Sequence, residues 1–251
     1  MGEDRRKQNK RSVKLKVFVI MVCVLAAFTL AGVIYVNDYY RGDETVPEAL
    51  QGDSLVSVDQ TVRGRVVFLP DDPKAGLIFY PGGKVEYTAY APLLRELAEE
   101  GVLCVLVKMP CNLAVLNVNA ADGIQEDFPE VTDWYIGGHS LGGSMAAAYV
   151  AKHTDDYEGL ILFAAYGTED LSGSGLKVIS LYGSVDGVLN MEKYEKNREN
   201  LPEDTLEYVI EGGNHAQFGS YGSQKGDGTP AISAEEQREA AVRQITEAMG
   251  L

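Results

Sequence analysis

The chain has 251 residues, 45% of them hydrophobic, enough for one domain of ordinary size with a full core and an appendage. Its net charge of −15 is the sum of +5 on residues 1–16 and −20 on the remainder. A body that acidic repels phosphate backbones and excludes nucleic acid as a partner.

Residues 1–16 hold seven basic side chains (Arg5, Arg6, Lys7, Lys10, Arg11, Lys14, Lys16) against Glu3 and Asp4. Residues 17–36 then run for 20 positions without a charge. As a helix that run is about 30 Å long, one hydrocarbon thickness. Basic residues precede it and Asp38, Asp43 and Glu44 follow, so the N-terminus is expected in the cytoplasm and the body outside. Tyr35, Tyr39 and Tyr40 suit an interfacial belt. A cleaved signal peptide is the rival reading, but the apolar run is long for one and no Ala-x-Ala site follows. Residues 37–53 are polar, carry Gly42, Pro47 and Gly52, and read as a linker.

From residue 54 strands and helices alternate. Leu55–Val58 and Arg65–Leu69 read as leading strands, and Gly76–Tyr80 is an apolar run that stops at Pro81-Gly82-Gly83. Tyr90–Glu100 has helical spacing through Leu93, Leu94 and Leu97 and ends at Gly101. Val102–Val107 is a strand, Asn119–Phe128 a candidate helix, 133–137 a strand and Ser144–Lys152 a helix. Gly159–Ala164, Val178–Tyr182 and Leu206–Ile210 are buried-strand candidates; Met191–Asn200 and Ser233–Met249 are helices. The last opens on Ser233 and Glu236 at capping-box spacing. Residues 211–231 are glycine-rich and read as a long loop. The alternation implies an α/β fold with a mostly parallel sheet.

Three cysteines make no framework. Cys23 lies in the apolar helix, and Cys104 and Cys111 are about 20 Å apart along an extended chain, too far to bridge. No Cys/His metal spacing exists, and no residue pattern calls for a cofactor.

The pentapeptide Gly138-His139-Ser140-Leu141-Gly142 stands between the 133–137 strand and the following helix. A serine on so sharp a turn exposes its hydroxyl. That hydroxyl is a poor nucleophile near neutrality and needs a base within hydrogen-bond reach. The chain offers three histidines. His139 adjoins Ser140 and must point elsewhere, and His153 ends the next helix. His215 follows the Leu206–Ile210 strand, on the edge where parallel strands end and the elbow opens. It is the expected base. Asp186, after the Val178–Tyr182 strand, is the expected carboxylate to orient it, with Glu169 and Asp170 as rivals. The developing oxyanion needs fixed donors. The N–H of Leu141 is one, and the N–H of Gly83 or Lys84, in Pro81-Gly82-Gly83-Lys84, the other.

With the motifs Tyr80-Pro81-Gly82-Gly83-Lys84, Gly138-His139-Ser140-Leu141-Gly142-Gly143, Asp186 and Gly213-Asn214-His215-Ala216, residues 55–250 resemble the α/β-hydrolase superfamily. The likeness is greatest to the compact bacterial fold 5 group, often preceded by a membrane segment. The first motif departs from the superfamily's common His-Gly start. The resemblance implies an α/β-hydrolase fold with helices on both faces of the sheet, in the order cytoplasmic leader 1–16, transmembrane helix 17–36, linker 37–53 and catalytic domain 54–251. It implies a serine hydrolase and little about substrate. Only residues 165–177 separate the strand before Asp186's strand from that strand, too few for a helical cap. The expected protein is a membrane-anchored carboxylesterase of small esters, single-pass, with its catalytic domain outside the cell membrane. An acyltransferase, a peptidase with the same triad, and a non-catalytic envelope binding protein on this fold are the alternatives.

Overall fold

The computed structural model of the protein describes residues 2–62 and 64–251, with side chains from residue 16 onward. It divides into a unit ending at Asp38 and a second unit, Tyr39–Leu251.

The first unit is helix α1, Gly2–Asn37. Its stretch Lys16–Asn37 has a mean hydropathy of 2.9 over its most apolar window and is long enough to cross a membrane. The apolar side chains of this stretch face outward all round, Leu25 and Phe28 among them. The basic side chains expected to set its direction, Arg5 to Lys14, lie outside the described residues.

The second unit starts earlier than the polar composition of residues 37–53 suggests. Tyr40 forms a parallel bridge with Val85 and packs its ring 5.6 Å from that of Tyr221. It is therefore held on the body. Helix α2, Val46–Ala49, buries both of its terminal residues. Arg95 bonds the Asp53 carboxylate and the Gln51 carbonyl. A few apolar and charged anchors at short spacing suffice to dock a segment that is polar on average.

The strands are β1 (Val56–Asp59), β2 (Arg65–Pro70) and β3 (Ala75–Tyr80), then, after helix α3 (Ala91–Glu99), β4 (Val102–Val107). β5 (Trp134–His139) leads into helix α4 (Leu141–Val150), followed by β6 (Gly159–Phe163) and β7 (Lys177–Gly183). Helix α5 (Met191–Asn197), β8 (Leu206–Ile210) and helix α6 (Ala234–Met249) complete the chain. All eight strands form one sheet in the order β1-β2-β4-β3-β5-β6-β7-β8. β2 is antiparallel to both β1 and β4, and every other pair is parallel.

Strands β3 and β4 are apolar at every position because both faces are covered. Leu77 and Phe79 of β3, with Cys104 and Leu106 of β4, enter the core beneath α3 and α6. Their neighbours Ile78, Tyr80, Leu103 and Val105 enter the core beneath α4. Residues 119–128, expected as a helix, form only turns and one 3-10 turn, Gln125–Asp127. Gly123 sits at φ 74°, and the Ala121 N–H is taken by the Tyr80 hydroxyl at 2.9 Å, so no regular ladder can start. α6 begins with the capping box anticipated from Ser233 and Glu236 and ends at Gly250, φ 84°.

Candidate active site

β5 ends at His139, and α4 begins at Leu141, so Ser140 alone makes the turn. Its backbone is at φ 51°, ψ −121°, a region that a residue with a Cβ enters only when its surroundings compel it. The surroundings are the backbones of neighbouring strands. Ser140 N–H donates to the Phe163 carbonyl at 2.9 Å. A Cβ at Gly142 would lie 2.2 Å from the Tyr80 carbonyl oxygen, so only glycine lets α4 start this close to β3. The N-terminus of α4, with its unpaired N–H groups, is thereby aimed at the space above Ser140.

His215 and Asp186 arrive from the ends of β8 and β7. The Asp186 carboxylate accepts from Val188 N–H at 2.8 Å and Leu189 N–H at 2.7 Å through one oxygen. Its other oxygen lies 2.8 Å from His215 Nδ1. The two side chains are 2% and 1% exposed, so this pair is shielded from water. An ionised carboxylate can only accept, which puts the imidazole proton on Nδ1 and leaves Nε2 with its lone pair. Neither His215 Nε2 nor Ser140 Oγ has a hydrogen-bond partner among the described residues. Ser140 and His215 line one cavity of about 240 Å³, with Leu141, Ser144, Tyr166 and Leu189 among its walls.

The rival carboxylates are used locally. Glu169 accepts from Thr168, and Asp170 from Ser172 N–H and hydroxyl. His153 stacks on Tyr149 at 4.3 Å and faces Asp156. His139 is buried beneath the elbow, as its place next to Ser140 required.

Of the two candidates for a second oxyanion donor, Lys84 is unsuited. Its N–H donates to the Asn112 carbonyl at 2.8 Å, with Lys84 itself at φ 58°. The Gly83 N–H has no acceptor among the described residues, and a Cβ on Gly83 would stand 2.9 Å from Leu141 Cδ2. Gly83 and Leu141 are thus adjacent, each with a free N–H.

Two residues that hold His215 in place are not evident in the sequence. Asp227 accepts from Gly187, His215, Ala216 and Gly228 N–H groups, at 3.1, 3.2, 2.9 and 2.8 Å. One carboxylate therefore ties the Asp186 loop to the His215 loop. Its only local signal is the Gly226-Asp227-Gly228 turn. Gln237 of α6 is fully buried and clamps the backbone of Asn214, accepting from its N–H at 2.9 Å and donating to its carbonyl at 2.8 Å. Its signal is a lone amide on the face that carries Ala241 and Ile245.

A mostly parallel sheet with a strained serine between a central strand and its helix, and a histidine–aspartate pair at the ends of later strands, is the architecture of the α/β hydrolases. The chain belongs to the alpha/beta hydrolase family, whose profile matches residues 76–239. No curated protein matches it. Solved structures share the fold at low identity. Carboxyl esterase 2 of the fungus Tuber melanosporum is 12% identical with a TM-score of 0.57, over 84% of this chain and 91% of that one. The dienelactone hydrolase of Anabaena variabilis is 15% identical, TM-score 0.54, over 76% and 98%. Esterase 2 of Thermogutta terrifontis, in a form phosphoramylated by tabun, is 15% identical, TM-score 0.54, over 80% and 97%.

Proposed function

We propose that this protein is a membrane-anchored serine hydrolase that cleaves small carboxylic esters through an acyl-enzyme. The observation that carries the reading is the buried Asp186–His215 pair, which leaves Nε2 without a partner on a histidine that lines the same cavity as Ser140. In this mechanism Ser140 Oγ attacks the ester carbonyl while Nε2 takes its proton. The N–H groups of Leu141 and Gly83 hold the oxyanion. The imidazolium, stabilised by Asp186, protonates the departing alkoxide. Water then enters, gives its proton to the same nitrogen and releases the acid. The esterases and the dienelactone hydrolase that share the fold support ester chemistry. The cavity, about 240 Å³, is lined by no acidic residue, lysine or arginine, which suits a short uncharged acyl group.

Two features support access without a lid. The connection 164–176 contains no helix, and none of residues 216–232 lines the cavity. Long acyl chains should gain little, since each fully buried methylene is worth only about 0.8 kcal/mol. A fluorophosphonate probe tests the nucleophile, and aryl esters of graded chain length test the substrate class. No labelling of Ser140, with no hydrolysis of any ester, would refute the reading. A sharp rise in rate at the solubility limit of a medium-chain ester would refute the open site. The anchor reading rests on the apolar stretch Lys16–Asn37 and the leader charges. Protease added to sealed spheroplasts should digest the body and spare a short N-terminal fragment; full protection contradicts an outward-facing body.

A further inference from the structure

Beneath the elbow lies a chain of hydrogen bonds that the triad itself does not use. Gly82 N–H donates to the Tyr90 hydroxyl oxygen at 3.1 Å. The Tyr90 hydroxyl is 2.8 Å from His139 Nδ1. His139 Nε2 is 3.1 Å from the backbone carbonyl of His215. Tyr90 is fully buried, and His139 and His215 are each 1% exposed.

The direction of every bond is forced. The His215 carbonyl can only accept, so His139 carries its proton on Nε2. Burial, with the nearby His215 adding to it, holds His139 well below the usual histidine range, so the ring is neutral and Nδ1 is an acceptor. The Tyr90 O–H therefore donates to Nδ1, and its lone pairs are left to receive Gly82 N–H. The result is one head-to-tail chain with no donor or acceptor wasted, of the kind in which each bond polarises the next.

Its two ends matter. Gly82 adjoins Gly83, the proposed oxyanion donor, and a Cβ on Gly82 would lie 2.6 Å from the Tyr90 hydroxyl and 2.8 Å from His139 Nδ1. The other end is the backbone of the proposed base, whose ring centroid stands 4.4 Å from that of His139. We infer that Tyr90 and His139 are positioning residues that lock the oxyanion loop and the catalytic histidine into one rigid frame. The inference rests on the serine-hydrolase reading above. Neither residue touches the reacting atoms. Each acts by keeping a donor and a base, delivered by different loops, in the geometry that the tetrahedral intermediate requires.

The test is Tyr90→Phe in the full-length protein in detergent, which keeps the ring and removes only the link. Turnover of a short aryl ester should fall about 10- to 100-fold, less than the 10²–10³ of losing an oxyanion donor outright, with KM within about twofold. Affinity for an aryl trifluoromethyl ketone, whose hemiketal oxyanion occupies the same hole, should fall by the same factor. A role in packing alone would not move that affinity in step with kcat. Unchanged turnover, or a loss of turnover with full ketone affinity, overturns the inference while wild-type activity leaves the hydrolase reading standing. A wild-type protein that neither labels nor hydrolyses overturns both. Should Tyr90→Phe fail to fold, ¹⁵N-histidine NMR of the wild-type chain decides. A neutral His139 protonated on Nε2 from about pH 5 to 8 supports the chain, and an Nδ1-protonated or cationic ring overturns it.

Discussion

The elbow around Ser140 and the loop that carries His215 open on the same edge of the sheet but are held by different forces. The elbow is held by backbone against backbone. Ser140 bonds Phe163 in the next strand, and Gly142 rides on the Tyr80 carbonyl. The His215 loop has no strand beyond it; besides the Val185 N–H donating to the Gly213 carbonyl at 3.0 Å, it is held by side chains reaching backbone groups: Asp227 to four N–H groups, Gln237 to the N–H and the carbonyl of Asn214. A site made of steric contact tolerates no added atom. A site made of hydrogen bonds fails in steps, one lost partner at a time. Ser140, the proposed nucleophile, is thus placed by close packing, while His215, the proposed base, sits in a frame that chemical substitution can loosen.

Substitutions at the two regions sharpen this contrast. Ser140→Ala should end probe labelling and cut turnover by about 10⁴-fold or more, with the thermal midpoint kept because the hydroxyl has no hydrogen-bond partner to lose. His215→Ala should match it in rate. Gly142→Ala should cost more than about 4 kcal/mol or prevent folding, since its Cβ would meet backbone that cannot retreat. Urea melts separate that outcome from a milder one, and a loss under about 1 kcal/mol would contradict steric placement of the elbow. Asp227→Ala should cost about 1–3 kcal/mol, the expected range for partly buried N–H groups left without a charged acceptor. It should also lower kcat by about tenfold to hundredfold with probe labelling slowed and not abolished. A variant as active as the wild type would show that the His215 loop is held without it.

The smallest expected effect is on pH. His139 is depressed below the ordinary histidine value by burial first and His215 second. The folded protein then binds fewer protons than the unfolded chain below about pH 6.5. Its contribution to stability is complete above that value and is lost as pH falls toward the folded pKa, by at most about 1.4 kcal/mol per unit. Melts of wild-type and His139→Gln at pH 7 and about pH 5 should show a steeper loss in the wild type. Equal slopes would mean that His139 is not held neutral.

The amino-acid sequence by itself determined the elements whose causes are local. The apolar runs of β3 to β7, the capping box of α6 and the serine turn all follow from steric and hydrogen-bond rules acting over a few residues. The candidates Ser140, Asp186 and His215 were legible because each follows a strand, and parallel strands end on one edge. Only the tertiary structure decided between Gly83 and Lys84, because the choice turns on an acceptor, Asn112, 28 residues away from Lys84 in the chain. The docking of residues 39–53 depends likewise on Val85, Arg95 and Tyr221, which no window of the sequence contains. The chain that joins Gly82, Tyr90, His139 and His215 crosses four separate segments. Hydrogen bonds between distant segments leave no periodicity in the sequence, since a single polar residue at each end is all that they require.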